Sequence, residues 1–148
     1  MSTTALVWLR RDLRLYDHHA LYEALKNADQ VVIAYVFEQT ELKDRPKQDR
    51  RVEFIWEALK ELKTTLRQYH TDVVVRHGDP LVEIPALVEQ FAINAVYCNR
   101  EYEPKTIARD GYIAASMKEK GVQFNTYKDH LIFEQDEILS QNGKMYNV

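Results

Sequence analysis

The chain has 148 residues, enough for one compact domain with a sizeable core and too few for two stable ones. Apolar residues make up 45% and charged residues 29%, a balance that excludes a disordered or fibrous chain. Twenty Lys and Arg against 23 Asp and Glu leave a formal charge of -3, so no domain-wide positive field draws this chain directly onto DNA.

Met1 to Thr4 lack the basic region and long apolar run of a secretion signal, and no later segment reaches bilayer-spanning length without charge. Ala5-Leu6-Val7-Trp8-Leu9 is a short, nearly continuous apolar run, the pattern of a strand buried on both faces of a parallel sheet. Three arginines and two aspartates follow within eight residues, in Arg10-Arg11-Asp12-Leu13-Arg14-Leu15-Tyr16-Asp17. Asp17 is placed to cap a helix, His18 and His19 read as polar residues at its start, and Ala20, Leu21, Ala24, Leu25 and Ala28 give it an apolar stripe.

A second strand is expected over Gln30 to Phe37. A local excess of basic residues spans Lys43 to Arg51. The next helix opens with Arg50-Arg51 and carries the stripe Val52, Ile55, Trp56, Leu59, Leu62, Leu66 and Tyr69. Asp72 to Arg76 form a third strand, and Gly78-Asp79-Pro80 introduce a third helix with Leu81, Ile84, Leu87, Val88 and Phe91 in register. Pro85 inside that stripe predicts a kink or a later start. Asn94 to Cys98 form a fourth strand, a fourth helix runs from about Pro104 to Lys120 with Gly121 as its stop, and Val122 to Tyr127 form a fifth strand. From Asp129 the chain reads as a connection to something else.

Strands alternating with helices of this length predict a single α/β domain built on an open, doubly wound, five-stranded parallel sheet. Ligands of such sheets collect outside the carboxyl ends of the strands where strand order reverses, which directs attention to the segments starting at Arg10, Glu38 and Asn99. Only Gly78, Gly111, Gly121 and Gly143 exist, none of them after the first strand, so a bound anion must be held by arginine instead of by a glycine-rich turn.

Asp12 could hold Arg10 or Arg14 and aim a guanidinium at a ligand, or these residues could form an ion-pair cluster that pins the loop. Arg50 and Arg51 stand at a helix start, where the macrodipole disfavours cations, so a ligand or domain contact accounts for them better than a benefit to the helix. Arg51 and Ile55, one turn apart, could line one side of a flat aromatic ligand; from spacing alone they read equally as a solvated arginine over a core position. After the fourth strand, Glu101 could accept from ring N–H groups and Tyr102 could stack, while Glu103-Pro104 make a good helix start. His70, His77 and His130 form no metal spacing, and the lone Cys98 reads as a buried small hydrophobe in a reducing compartment, with the cytosol as the default location. Neither a catalytic residue nor a metal site is expected in this chain.

Trp8-Leu9-Arg10-Arg11-Asp12-Leu13-Arg14 with Asp17 and Ala20-Leu21 resembles the opening signature of the DNA photolyase and cryptochrome family. Arg51 to Ile55, Gly78-Asp79-Pro80, Asn99 to Pro104 with Ala108-Arg109-Asp110, and Gly143 to Val148 extend the resemblance in order along the whole chain. It implies an amino-terminal antenna domain over 1–128 and, over 129–148, the start of a connection to a larger helical domain that binds FAD and the cyclobutane pyrimidine dimer. Light-driven electron transfer from reduced FAD would split the dimer there, with damaged DNA and the helical domain as partners of the whole protein.

The α/β domain of that family holds a second, light-harvesting chromophore. Folate-binding members carry an Asn-Glu pair where this chain has Lys105-Thr106, so the resemblance implies a deazaflavin or FMN in preference to methenyltetrahydrofolate. Arg10, Phe37, Glu38, Arg51, Ile55, Glu101 and Tyr102 would wall the pocket, with Asp12 orienting Arg10, and Trp8 would belong to the core. A cryptochrome-type light receptor is the alternative within the family. A free-standing nucleotide-binding domain of the universal-stress or electron-transfer-flavoprotein kind is the alternative outside it.

Overall fold

A computed structural model describes residues 1–38 and 49–128; the expected connection over 129–148 and most of the basic 43–51 stretch lie outside the described residues. In chain order the elements are β1 (Thr4–Leu9), α1 (His19–Asn27), β2 (Gln30–Glu38), α2 (Arg50–Gln68), β3 (Val73–Gly78), α3 (Pro80–Gln90), β4 (Ala95–Asn99), α4 (Pro104–Glu119) and β5 (Gln123–Tyr127). The five strands form one sheet in the order β3-β2-β1-β4-β5, and every pairing is parallel. This is the doubly wound α/β sheet expected from the alternation of apolar runs and helical stripes.

β1 lies at the centre, where Val7 is in register with Ile33 on one side and Tyr97 on the other. Successive side chains of a strand face opposite sides, so β1 feeds two cores. Val7 and Leu9 join Leu21 of α1 and Leu59, Leu62 and Leu66 of α2. Leu6 and Trp8 join Ile84 and Leu87 of α3 and Ile113 and Met117 of α4. A continuous apolar run is therefore required in β1, and truncating a fully buried core residue such as Leu87 would cost roughly 2–5 kcal/mol.

The outer strands are less buried than their sequence runs suggest. β3 alternates between buried and open positions, with Val75 exposed, because it is an edge strand. The helical stripes are narrower too: on α2 only Leu59, Leu62 and Leu66 are buried, while Trp56 and Tyr69 face outward, and Leu25 of α1 is exposed.

Asp49 caps α2 by accepting from the Arg51 N–H at 2.9 Å, and Asp79 caps α3 through the Leu81 N–H at 2.9 Å. α3 starts at Pro80 and continues through Pro85 without interruption. α1 differs from expectation, because its cap is His18: Nδ1 accepts from the Leu21 N–H at 3.1 Å, and Asp17 lies one residue earlier in a left-handed conformation with φ 47°. An aspartate tolerates that conformation, and the turn it makes carries the chain from the end of β1 into α1.

Candidate functional site

Crossovers from β1 lead to one side of the sheet and β4 lies on the other, so strand order reverses between β1 and β4. Their carboxyl ends open a crevice there, and the residues that follow each strand converge on it. The resulting cleft measures about 850 Å³, within the roughly 300–1,000 Å³ of small-molecule sites. Its floor is the end of β1 (Trp8 to Arg10) with Tyr35 and Glu38 of β2, one wall is the first turns of α2, and the opposite wall is the 101–109 segment.

Arg10 is buried at the floor. Its Nη1 donates to Asp110 Oδ2 at 2.5 Å and its Nη2 donates to the Asn99 main-chain carbonyl. Burial disfavours its charge, but Asp110 and Glu101 outweigh that effect and its pKa lies above the usual guanidinium value. Arg109, reaching down from α4, pairs with Glu38 and with Glu101 at 3.4 Å and also contacts Asp110 at 3.3 Å. Both guanidiniums lie over the Trp8 ring, 4.9 and 4.8 Å from its centroid, so the buried indole carries cation–π contacts to each.

A second cluster lies beneath the first. Asp12 Oδ1 accepts from the Arg10 main-chain N–H at 2.8 Å, and its Oδ2 faces His18 Nε2 and the Asn99 side-chain amide, both at 2.7 Å. Because His18 Nδ1 accepts from Leu21, its proton sits on Nε2 and points at Asp12. Burial alone would raise the Asp12 pKa; the His18 contact, the Arg10 N–H and the Asn99 amide reverse that and hold it at about 2. Asp12 thus orients Arg10 through the backbone, and it is Asp110 and Asn99 that aim the guanidinium.

Of the residues expected to wall a pocket, Arg10, Glu38, Arg51, Ile55 and Glu101 do line this cleft. Asp12 lies behind it, Phe37 packs edge-on against Tyr35 at 5.0 Å beside the α1/α2 core, and Tyr102 is not among the lining residues. The carboxylates of Glu38 and Glu101 are both turned toward Arg109. Sequence reasoning passed over Arg109, Asp110 and His18 as site residues, since only the fold brings positions 18, 38, 101 and 110 together. Trp8 belongs to the core, as expected, and also reaches the cleft floor. Thr106 lines the cleft as well. Among the described residues no group of three or more His, Cys, Asp or Glu is placed to hold a metal ion.

Residues 5–148 match the model of the DNA photolyase family. The chain belongs to that family. It is 33% identical over 148 residues to a deoxyribodipyrimidine photo-lyase of a Synechococcus species, covering all of this chain and 31% of that protein. It is 31% identical over 144 residues to the cryptochrome DASH of Gloeobacter violaceus, covering 93% of this chain and 29% of that one. This photolyase-family chain therefore spans about a third of the length of these curated relatives.

Two solved structures share its fold. An archaeal photolyase from Sulfolobus tokodaii, solved with two FAD molecules, superposes with a TM-score of 0.82 at 29% identity over 93% of this chain and 32% of that one. A class III photolyase from Agrobacterium tumefaciens superposes with a TM-score of 0.88 over the whole chain and 30% of its own, and at 24% identity it speaks for the fold alone.

Proposed function

We propose that this photolyase-family domain binds a planar light-harvesting chromophore of the flavin or deazaflavin type in the cleft beyond β1 and β4. The observation that carries this reading is the pairing of an apolar helix face, Phe54, Ile55 and Ala58 of α2, with a guanidinium-rich floor and wall across one cleft of suitable size. A flat heterocycle needs both: an apolar surface against its face and hydrogen-bonding groups at its edge.

Arg51 and Ile55 cover one side of the ring, while Glu101 and Arg10 meet its polar edge. When bound, the chromophore supplies absorption of blue and near-ultraviolet light and passes its excitation onward. The protein's own residues fix the ring's orientation, exclude water from its apolar face and keep the surrounding charges paired. Thr106 in place of an acid supports the flavin type over methenyltetrahydrofolate.

Titration of the 148-residue chain with FMN, a deazaflavin and methenyltetrahydrofolate, read by ligand fluorescence, tests the reading. FMN or deazaflavin is expected to saturate and the folate not to. Arg51→Ala and Glu101→Ala should each weaken binding by about tenfold, the effect of losing a hydrogen bond to a charged group. Unchanged affinity in both variants would remove this placement.

For the whole protein, the match to deoxyribodipyrimidine photo-lyase supports light-driven repair of cyclobutane dimers by FAD held in a carboxy-terminal helical domain, which is also the partner of this domain and the part that meets damaged DNA. The cryptochrome DASH match keeps a light-receptor role in view. Dimer repair under blue light by the full-length protein separates the two. Among the described residues no helix is long and apolar enough to cross a membrane, and a lone buried cysteine suits the reducing cytosol.

A further inference from the structure

We propose that Arg10 and Arg109 guard Trp8 against one-electron oxidation, so that the indole on the cleft floor does not drain the light energy the domain collects. The use of the guard rests on the reading that the cleft holds a light-absorbing chromophore; the guard itself is a property of this chain alone.

Trp8 is 2% exposed, lies in the α3/α4 core and also reaches the floor of the cleft. Indole is among the most easily oxidised side chains, and a light-excited molecule beside one is a ready acceptor for its electron. One electron leaving the indole π-system would fill the vacancy in the excited acceptor and leave a radical cation on the ring. The excitation would end there. A tryptophan in this position is compatible with light harvesting only where a positive charge on its ring is disfavoured.

The structure supplies that condition twice. The guanidinium carbons of Arg10 and Arg109 stand over the ring, 4.9 and 4.8 Å from its centroid. Each cation attracts the neutral ring through its quadrupole and repels the oxidised ring as a like charge, so both effects favour the reduced indole. Both cations are fixed in place, Arg10 by Asp110 and the Asn99 carbonyl, Arg109 by Glu38, Glu101 and Asp110. Guanidinium N–H groups lie in the guanidinium plane, so the carboxylates are bound at its edge while the cationic carbon stands over the indole. The two arginine side chains are only 6% and 15% exposed, and water screens such charges weakly. Trp56 shows the contrast: it is half exposed, and the one ammonium over it, Lys60, stands 5.9 Å away and is paired with Glu57.

The test needs no chromophore. Trp8 and Trp56 are the two tryptophans of the chain, so Trp56→Phe leaves Trp8 as its one indole. A ruthenium(III) polypyridyl oxidant is generated by a laser flash beside the 148-residue Trp56→Phe chain, and the indole radical is read by transient absorption. Adding Glu38→Gln with Arg109→Gln removes one cation together with a carboxylate it pairs with, and should raise the radical yield about tenfold. Arg109→Lys, which keeps the charge, should stay within about twofold of the Trp56→Phe parent. Acrylamide quenching of Trp8 fluorescence is expected to be the same in all three chains. A double variant with the parent's yield, a lysine variant that rises as far as the double variant, or a rise that follows acrylamide access would assign the inertness of Trp8 to burial and overturn the guard. Should the double variant not fold, Glu38→Gln alone decides: it leaves the Arg109 cation less compensated and should lower the yield, and an unchanged or higher yield would overturn the guard. None of these readings depends on flavin binding, which the ligand titrations decide separately.

Discussion

Asp12 keeps its negative charge in a nearly dry position because three donors converge on it: the His18 ring, the Arg10 main chain and the Asn99 amide. Its folded pKa of about 2 lies below the ordinary 3.8, so it contributes stability above pH 4 that is lost as pH falls through 2. The contribution is on the order of 2 kcal/mol. Asp12→Asn should destabilise the fold by a similar amount near pH 7 and flatten this acid limb, as measured by urea unfolding across a pH series; an unaltered limb would refute the role. Arg109 answers to different physics. Removing it leaves Glu38 and Glu101, which it holds together, without their shared counter-charge, so Arg109→Leu should destabilise by on the order of 3 kcal/mol in the same assay. The sequence displayed both residues openly, and the Arg10–Asp12 pair was readable as a cluster. Which carboxylate meets which guanidinium was not, because Arg109 lies 71 positions from Glu38 and only the fold closes that gap.

Three helices end in the same way. After α2, α3 and α4 the residues His70, Ala92 and Gly121 take positive φ of 58°, 49° and 70°, and the following N–H returns to the carbonyl of Leu66, Val88 or Met117. Only Gly121 has the residue type this conformation favours, and no atom lies within 4 Å of where its Cβ would be, so its glycine is there for the backbone alone. Ala92→Gly should therefore stabilise the protein by roughly 0.5–1 kcal/mol, visible as a higher urea midpoint at constant slope. Gly121 was legible as a helix stop from sequence. The endings at His70 and Ala92 were not, since neither residue type signals the left-handed region. The cap of α1 was likewise assigned to Asp17, because histidine is an unusual cap, and the bond from Leu21 to His18 depends on Asp12 fixing the ring.

At the scale of the whole molecule, Cys98 reports on integrity. It is the penultimate residue of β4 and lies inside the α3/α4 core, and burial pushes its thiol up to about 12, beyond the reach of thiolate chemistry near neutrality. Labelling by a thiol reagent should proceed only through unfolding, with a rate that rises with urea along the global unfolding slope. Fast labelling independent of urea would place Cys98 near the surface. By itself the sequence determined the strand and helix order, the parallel α/β class and the family, because apolar runs, periodic stripes and motif spacing are local properties of the chain. Tertiary structure decided which strands became edges, which face of α2 stayed exposed, and how Arg10, Glu38, Glu101, Arg109 and Asp110 were apportioned among themselves. The reason is physical: burial and ion pairing depend on neighbours distant in sequence, and the doubly wound sheet supplies those neighbours by bringing the carboxyl ends of β1, β2 and β4 to one cleft.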